Sequence, residues 1–392
     1  MNSFRRFEEV LMLREPDTVP IYLLGLPPPL GEKLLNRKTV WRNPALYLEL
    51  FEKGKGREAN RRVAEDIIDT YKKLDLDAIR VSCIIGQWLT EPNYEFLPNS
   101  AKVKKINEKL YKVNGIIAQY SPEIYGLLVR KPLIPFEKDE AKSYLKEHMN
   151  EIYVPEECVE PIRMIAKEYK GKKFILGIGW GSFYNVYHPF DRYMLWLRED
   201  IGLFKLGIEF MLRRAKEFIK AEIDAGADGI QDHDDYAYGS GGSGSVFLNP
   251  LQFKEYVLPA LKELVNTAHK KGAYFIKHTD GNATRILNYI VEANVDGIQG
   301  LEKPAGMDIS YVKENFGDKV MLAGNVDQSK MPKASIQEMY EEVKECISKA
   351  SYGGGHALVT TNTPGPDAKL ENILAHIEAG RKYGKYPLII SK

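Results

Sequence analysis

The sequence predicts an α/β protein built as a (β/α)₈ TIM barrel, and three observations carry that prediction. Short apolar runs rich in β-branched and aromatic residues alternate with longer stretches whose apolar residues recur at helical spacing. The connections are short, and several helical stretches end at a glycine, as in Lys271-Gly272 and Tyr352-Gly353. Repeated strand–helix–strand units indicate a parallel sheet, and eight of them indicate a closed barrel. A doubly wound open sheet is the alternative.

The candidate strands are bounded by turn residues and are short enough for a buried parallel sheet. In chain order they are residues 19–25, 76–83, 173–179, 226–231, 273–277, 295–301, 319–324 and 356–361. The later strands are separated by helical stretches with one apolar face. These helices are expected at 203–224, 250–271, 283–293, 309–316 and 336–350, and an earlier one within 36–73.

We expect a single domain over residues 1–392, with one insertion. About ninety residues separate the second and third strands, too many for a simple crossover. Residues 94–119 alternate and turn as a small β-meander does, and residues 136–170 have a helical pattern. We therefore predict that residues 84–171 form a cap inserted over the mouth of the barrel.

The composition is that of a soluble globular protein, with 44% apolar and 28% charged residues. A net charge of +1 argues against nucleic acid or an anionic membrane as the main partner. Cys83, Cys158 and Cys346 are far apart and form no CxxC pair, which excludes a disulfide framework or zinc ribbon. The first ten residues lack the apolar core of a signal peptide. We therefore expect a cytoplasmic protein.

Polar and aromatic residues follow nearly every predicted strand, at the end where barrel enzymes place their functional groups. Asp232-His233-Asp234-Asp235 and Tyr236 follow the fourth strand, and His278 and Asp280 follow the fifth. The other candidates are Trp180, Phe183 and Tyr184 after the third strand, Glu302 after the sixth and Asn325 after the seventh.

His278 and Asp280 are separated by one residue, so both side chains can face the same side. An imidazole beside a carboxylate forms a metal pair or an oriented acid–base pair, and a histidine merely satisfied by its neighbour is the alternative. Residues 232–235 alternate in direction, so at most half of them can face the barrel axis. Aromatic residues at a barrel mouth, such as Trp180 and Tyr184, suit a pocket for a flat apolar ligand.

A set of motifs spread over most of the chain resembles the uroporphyrinogen decarboxylase superfamily, whose members are (β/α)₈ barrels. The resemblance is strongest from residue 226 to residue 387. The matching motifs are Arg5-Arg6-Phe7, Glu15-Pro16-Asp17-Thr18-Val19-Pro20, Asp234-Asp235, Asn249-Pro250, Phe253, Pro259, His278-Thr279-Asp280-Gly281-Asn282, Gly306-Met307-Asp308, Gly324-Asn325-Val326-Asp327, Glu371-Asn372, Ala379 and Tyr383-Gly384-Lys385-Tyr386-Pro387.

The resemblance implies one of two chemistries. Decarboxylases of this superfamily use arginines after the first strand to bind tetrapyrrole carboxylates, and residues 25–31 contain none here. The other branch moves methyl groups to or from a corrinoid protein, and its thiol-methylating members hold zinc through a His-x-Cys pair and a later cysteine. Asp280 stands in place of the first cysteine, and residues 361–366 lack the second. Carboxylate ligands make a harder site that prefers oxygen.

These departures lead us to expect a methyltransferase that cleaves a methoxyarene ether and passes the methyl group to cob(I)alamin on a partner corrinoid protein. His278, Asp280 and Asp235 are the expected catalytic residues, and His278, Asp280 and Glu302 are the expected ligands of a possible zinc ion. Substrate binding is assigned to Trp180, Phe183, Tyr184, Asp232, Tyr236 and Asn325. The alternatives are a methylcobalamin-dependent enzyme acting on a thiol, pterin or methylamine, and a decarboxylase-like tetrapyrrole-binding protein.

Overall fold

The structure is a computed structural model that describes residues 1–81, 97, 99, 101–121, 126–129, 134–135, 137–151, 154–184, 190–239 and 245–389. Its main sheet has seven parallel strands in the order β1-β6-β7-β8-β9-β10-β11. These strands are β1 (Ala78–Val81), β6 (Phe174–Trp180), β7 (Gly229–His233), β8 (Tyr274–Thr279), β9 (Gly297–Gly300), β10 (Met321–Ala323) and β11 (His356–Ala357). Seven of the eight predicted strands are therefore present, with shifted ends.

The first predicted strand, residues 19–25, is not a regular strand in the structure. It makes an isolated parallel bridge between Ile21 and Leu358. The Tyr22 amide donates to the Leu358 carbonyl at 3.2 Å, and the Asp77 amide donates to the Ile21 carbonyl at 2.9 Å. Because this one segment reaches both edges of the sheet, the sheet is curled.

The strands are apolar on both faces, as parallel sheets covered on both sides require. Side chains on the concave face, such as Leu176 and Ile276, pack together in a small core inside the curl. Side chains on the convex face, such as Ile230, Phe275 and Ile298, belong to the larger core under the helices. Burial of apolar surface on both faces supplies the main stabilising free energy of the fold, about 25 cal/mol per Å².

The helices surround the sheet. They are α1 (Ser3–Leu11), α2 (Pro28–Leu35), α3 (Pro44–Glu52), α4 (Gly56–Leu74), α5 (Lys138–Glu147), α6 (Glu160–Tyr169), α7 (Phe190–Glu199), α8 (Ile201–Asp224), α9 (Pro250–Gln252), α10 (Leu258–His269), α11 (Leu287–Glu292), α12 (Ile309–Phe316), α13 (Ile336–Ala350) and α14 (Leu370–Tyr383). In the described part of the chain, no helix has the length and apolar character needed to cross a bilayer.

The predicted ends of α12 and α13 agree with the structure, and the start of α13 has a local cause. Ser335 caps the helix by accepting the Glu338 amide, and the Glu338 carboxylate accepts the Ser335 amide in return. The predicted helix over 250–271 is less regular, because a π-helical turn at Phe253–Val257 lies between α9 and α10.

The long segment between β1 and β6 contains a second sheet of four antiparallel strands, in the order β2-β3-β4-β5. Its strands are β2 (Val103–Lys105), β3 (Leu110–Val113), β4 (Ile116–Ser121) and β5 (Gly126–Val129). The helices α5 and α6 follow. The meander expected over 94–119 thus corresponds to β2, β3 and most of β4, while residues 94–96 lie outside the described residues. That the whole of 84–171 acts as a cap stays a prediction.

Candidate active site

The polar residues 232–235, at the end of β7, lie close to His278 and Asp280, at the end of β8, because these two strands are parallel neighbours. Gln231 lies opposite Ile276 in the sheet, so the exits of both strands fall at the same edge. His278 Nε2 lies 3.6 Å from Asp235 Oδ1 and 3.6 Å from Asp280 Oδ1. We call His278, Asp235 and Asp280 the inner cluster.

The alternation of side chains along β7 divides residues 232–235 between two faces. Gln231 lies on the concave face, since its amide reaches Gln299 on β9 and Tyr22 beyond the sheet edge. Asp235 continues this inward-facing series, whereas Asp232 and Asp234 face the other way. Only one of the three aspartates therefore belongs to the inner cluster.

Asp234 holds the loop after β6 in place. Its carboxylate accepts the amides of Ser182 at 3.0 Å, Phe183 at 3.1 Å and Tyr184 at 2.6 Å. A Cβ atom added to Gly181 would lie only 1.9 Å from the Asp234 side chain, so this close approach requires glycine. The carboxylate thus fixes the backbone that presents Tyr184.

Asp232 forms a fully buried ion pair with Lys277, which sequence reasoning had missed. Lys277 Nζ donates to Asp232 Oδ2 at 2.7 Å, to the Asp234 carbonyl at 2.6 Å and to the His278 carbonyl at 2.5 Å. The same ammonium lies 4.0 Å from the centre of the Tyr236 ring. We call Asp232, Asp234 and Lys277 the outer cluster.

In the outer cluster, the charged groups of Asp232 and Lys277 are hydrogen-bonded to protein groups. The second oxygen of Asp232 accepts the His278 amide at 2.7 Å, so both of its oxygens are occupied by protein donors. Burial raises the pKa of Asp232 to about 6, against the opposing effect of the Lys277 charge. A lysine within the apolar run Tyr274–Thr279 was the available sequence signal, because a buried lysine needs a partner.

The ring orientation of His278 is set by Gln299, which the sequence analysis also missed. Gln299 Nε2 donates to the carbonyls of Thr360 at 3.2 Å and Thr361 at 3.1 Å, which turns Gln299 Oε1 toward the histidine. His278 Nδ1 therefore carries the hydrogen and donates to Gln299 Oε1 at 2.5 Å. Gln231 Nε2 donates to the same oxygen at 3.1 Å.

This arrangement leaves the lone pair of His278 Nε2 facing the carboxylates of Asp235 and Asp280. The nitrogen is buried and has no hydrogen-bond partner among the described residues. Burial lowers the pKa of His278, so the neutral ring is favoured. A neutral imidazole fixed by a second residue is the form in which histidine ligates metals.

The two carboxyl oxygens of Asp280 differ in their hydrogen bonding. Asn362 Nδ2 donates to Asp280 Oδ2 at 2.8 Å, and Oδ1 is buried without a hydrogen-bond partner in the described structure. Burial, together with the charges of Asp235 and Glu302, raises the pKa of Asp280 to about 8. Without a cation nearby, Asp280 therefore holds a proton at neutral pH.

The inner cluster has the shape of a metal site. One ligand atom from each of the three residues lies within 4.8 Å of the others. The 3.6 Å separations are too long for hydrogen bonds, but two ligands each about 2.1 Å from a tetrahedral ion would lie about 3.4 Å apart. One nitrogen and two carboxylate donors therefore fit a divalent cation, and the unpartnered Nε2 and Oδ1 atoms support this fit.

The predicted ligand Glu302 lies outside this group of ligand atoms. Its Oε2 accepts the Gly281 amide at 2.8 Å, which fixes the turn after Asp280. The expected ligand set of His278, Asp280 and Glu302 therefore stays a prediction for Glu302, while the geometry brings Asp235 together with His278 and Asp280. The turn itself needs Gly281, since its φ is +76° and the Tyr238 carbonyl passes close by.

The predicted aromatic residues separate into two groups. Phe183 packs in the core, with its ring 5.5 Å from that of Phe190, and it is 1% exposed. Burial raises the pKa of Tyr184, and Tyr184 is close enough to the inner cluster for the charges of Asp235 and Asp280 to add to this increase.

Trp180 lies opposite His233 in the sheet, and its indole N–H is buried without a partner in the described part of the chain. His233 in turn contacts the inner cluster, because its ring stacks on the His278 ring with the centroids 5.2 Å apart.

Two other predicted substrate residues are engaged in structural contacts. Tyr236 is buried beneath Lys277 and packs its ring 4.9 Å from that of Phe253. Asn325 donates its side-chain amide to the Leu301 carbonyl and, at 3.4 Å, to the Met307 carbonyl, tying the loops after β9 and β10 together.

A curled parallel sheet with an aspartate–histidine cluster at the carboxyl ends of its strands is an arrangement typical of α/β enzymes. The chain belongs to the uroporphyrinogen decarboxylase (URO-D) family, whose family model matches residues 131–383.

Curated relatives agree with this assignment. The chain is 25% identical over 210 residues to the uroporphyrinogen decarboxylase of Trichlorobacter lovleyi, covering 50% of this chain and 57% of that protein. It is 29% identical over 173 residues to that of Pseudoalteromonas atlantica, covering 42% and 44%. The chain spans about half the length of the curated relatives it matches.

Among solved structures, a methyltransferase from Methanosarcina mazei has the same fold, with a TM-score of 0.69. The match covers 98% of this chain and 99% of that one, at 16% sequence identity. The similarity therefore concerns the fold and extends over nearly the whole length of both chains.

Proposed function

We propose that this protein is a methyltransferase that cleaves the methyl ether of a methoxylated aromatic compound and transfers the methyl group to cob(I)alamin on a partner corrinoid protein. The observation that carries the proposal is Asp280, which stands where the resemblance places cysteine in thiol-methylating relatives. Its open Oδ1 lies beside His278 Nε2. Carboxylate and imidazole groups activate an oxygen leaving group, whereas thiolates suit a sulfur substrate.

The proposed reaction breaks the bond between the ether oxygen and the methyl carbon. The electron pair of the cobalt(I) acceptor, the second substrate, forms the new bond to the methyl carbon, and the C–O pair leaves with the aryl oxygen. The phenolate must then be stabilised or protonated. Phenols have a pKa of about 10, so a carboxyl group whose pKa is about 8, as in Asp280, protonates the departing oxygen favourably.

We propose that the inner cluster also holds a divalent cation, with zinc as the expected ion. Asp235, His278 and Asp280 would be its ligands, and Gln299 and Asn362 would keep His278 and Asp280 in position. When bound, such an ion supplies Lewis acidity to the ether oxygen. This Lewis acidity would replace the proton of Asp280, because with an ion present His278 would bind it through its neutral Nε2, and Asp280 and Asp235 would bind it as carboxylates.

The remaining predicted roles are revised in the light of their contacts. We propose that Trp180 and Tyr184 border the substrate ring, because each lies at the edge next to the inner cluster. Asp232, Phe183, Tyr236 and Asn325 are instead positioning residues, since each is buried in contacts with other protein groups.

We further propose that residues 19–25 close the sheet as the eighth strand of a TIM barrel, and that residues 84–171 cap its mouth. The hydrogen bonds from Tyr22 to Leu358 and from Asp77 to Ile21 support closure, since they join opposite edges of the sheet. A cytoplasmic location is proposed with the same reaction, because cob(I)alamin requires reducing surroundings. The described cysteines, Cys158 and Cys346, are both free thiols.

The test is a methyl-transfer assay with the purified protein, a reduced corrinoid protein and a panel of methyl donors. Methylation of cobalt is followed by absorbance, and the phenol product by chromatography. We expect turnover with methoxylated aromatics and none with methylamines, methanol or methylated thiols. Turnover with one of those donors, or with a pterin acceptor, would replace the proposed substrate. Release of CO₂ from uroporphyrinogen would replace the reaction class.

A further inference from the structure

The chain continues past β7 into a short pair of antiparallel segments, which we call the β7 extension. It consists of residues 236–239 and 245–247, which are joined by an isolated antiparallel bridge. The Tyr238 amide donates to the Ser245 carbonyl at 2.9 Å. This pairing fixes the backbone that carries the Tyr238 side chain.

The β7 extension lies against the turn that carries Asp280. The Tyr236 amide donates to Thr279 Oγ1 at 2.9 Å, which ties the start of the extension to the end of β8. A Cβ atom added to Gly239 would lie 3.9 Å from the Cβ atom of Asp280. Tyr238, the residue before Gly239, is therefore placed beside the inner cluster by backbone contacts.

Three aromatic rings form a corner next to this turn. The Tyr184 ring stacks on the Phe247 ring, with the centroids 5.7 Å apart and an interplanar angle of 18°. The Tyr238 ring meets the Phe247 ring edge-on, with the centroids 4.4 Å apart and an angle of 67°. We call Tyr184, Phe247 and Tyr238 the aromatic corner. Because its planes are steeply inclined, the corner can contact a flat ring by stacking and by edge-to-face packing at once.

The aromatic corner is more exposed than the aromatic residues behind it. Phe183 and Tyr236 are buried in the core, whereas Tyr238 is 46% exposed and the other two rings of the corner are only partly buried. The Asp280 side chain is 22% exposed, so both its carboxyl group and the corner are accessible to a ligand. An apolar surface next to a reactive carboxyl group suits a ligand that is flat and apolar at one end and carries an oxygen at the other.

We infer that Tyr238 is a specificity-determining residue that packs against the aromatic ring of the methyl donor, so that the aromatic corner selects aryl methyl ethers over alkyl methyl ethers. The identity of the donor as an ether rests on the proposed function, whereas binding of an aromatic ring is measurable without methyl transfer. The ring lies away from the C–O bond that breaks, so its contact with Tyr238 contributes equally to the ground state and the transition state. Loss of this contact therefore raises KM rather than lowering kcat.

The binding experiment is isothermal titration of the purified protein, without the corrinoid partner, using methoxybenzene and cyclohexyl methyl ether as separate ligands. We expect the parent protein to prefer methoxybenzene. Y238L should weaken methoxybenzene binding about 3- to 10-fold, because leucine keeps an apolar side chain but removes the ring. Binding of cyclohexyl methyl ether should change less than about twofold. Y238F is the conservative variant and should bind methoxybenzene as the parent protein does.

The kinetic experiment is the cobalt-methylation assay over a range of methoxybenzene concentrations. In Y238L, KM should rise about 3- to 10-fold, and kcat should stay within about twofold of the parent value. Y311L is the matched control and should change neither constant, because Tyr311 is a similarly exposed tyrosine on α12, 44% exposed.

The inference is overturned if Y238L binds methoxybenzene as tightly as the parent protein, if both ethers lose affinity equally, or if the loss appears in kcat instead of KM. Circular dichroism melts identify variants that fail to fold, and Y238M keeps the test open if Y238L is one of them. Tyr238-dependent binding of methoxybenzene without methyl transfer to cobalt would overturn the proposed reaction alone.

Discussion

Two groups of charged side chains lie at the carboxyl ends of the same pair of strands, but they differ in how far their polar atoms are hydrogen-bonded. In the outer cluster, each Lys277 donor and both Asp232 oxygens have protein partners. In the inner cluster, His278 Nε2 and Asp280 Oδ1 are buried without hydrogen bonds among the described residues. A buried polar atom without a partner costs about 1–3 kcal/mol, so such atoms persist where function requires them.

The chemical type of a residue alone therefore does not identify a functional site. Aspartates 232, 234 and 235 lie in one tetrapeptide, yet the first two hold the protein together and the third faces the ligand space. The difference arises from the two-residue alternation of a strand, which sends neighbouring side chains to opposite faces. The predictions below test this division between the two clusters.

The largest effect, on the rate of methyl transfer, is expected for H278A. Removing the imidazole takes away a ligand or proton-handling group of the inner cluster without breaking an ion pair, so the fold should survive. Methyl transfer should fall about 10²- to 10⁴-fold, measured as the rate of cobalt methylation. H148A is the control, because His148 is partly exposed and stacks on Tyr144. A modest loss of rate with a large loss of stability would place His278 with the structural residues.

For the outer cluster we expect a large loss of stability rather than a direct loss of methyl-transfer activity. K277M leaves the buried Asp232 carboxylate without its counter-ion, and stability should fall by about 3–5 kcal/mol. The measurement is urea unfolding, with K271M as the control, since Lys271 pairs with Asp224 at the surface. The double variant D232N/K277M should recover part of the loss. Unchanged stability together with abolished activity would contradict the division between the clusters.

The sequence predicted the parts that depend on local pattern. Seven strands, α12, α13 and the meeting of residues 232–235 with His278 and Asp280 follow from periodicity and from the geometry of parallel strands. The local pattern also predicted a strand at 19–25, of which the structure shows an isolated bridge between Ile21 and Leu358. A local pattern indicates that a segment is extended, but not how many of its residues pair with a strand more than 300 positions away.

The parts of the site that escaped prediction are those defined by long-range contacts. Gln299 lies in a predicted strand, and no feature of that strand indicates a bond to His278. The sequence offered both Glu302 and Asp235 as partners of His278 and Asp280, and only the folded chain shows Asp235 within the group of ligand atoms. Lys277 was missed as well, although the sequence carried a signal for it, since a lysine in an apolar strand indicates a buried partner.

A smaller effect, on the affinity of the inner cluster for a divalent ion, is expected from Q299L. Loss of Gln299 Oε1 removes the acceptor that fixes the His278 ring, so the Nε2 lone pair is no longer directed at the carboxylates. Affinity for a divalent ion should fall about 10- to 100-fold, measured by competition with a chelating dye. N315A is the control, because the Asn315 side chain donates to the Tyr311 carbonyl within α12. Equal ion affinities in Q299L and the parent protein would exclude a role for Gln299 in orienting the histidine.

The smallest effect concerns the pH dependence of the metal-free protein. The pKa of Asp280 is raised by burial to about 8 in the folded state, above its unfolded value of about 4. Its protonation therefore stabilises the fold fully below about pH 4, and this contribution is lost as the pH rises through about 8. The slope is at most about 1.4 kcal/mol per pH unit. D280N should flatten the decline in urea-unfolding free energy between pH 5 and pH 8.5, whereas D308N, at the start of α12, should not. An unchanged slope in D280N would show that Asp280 is ionised without a metal, and the proposed proton donor would then have to be sought elsewhere in the inner cluster.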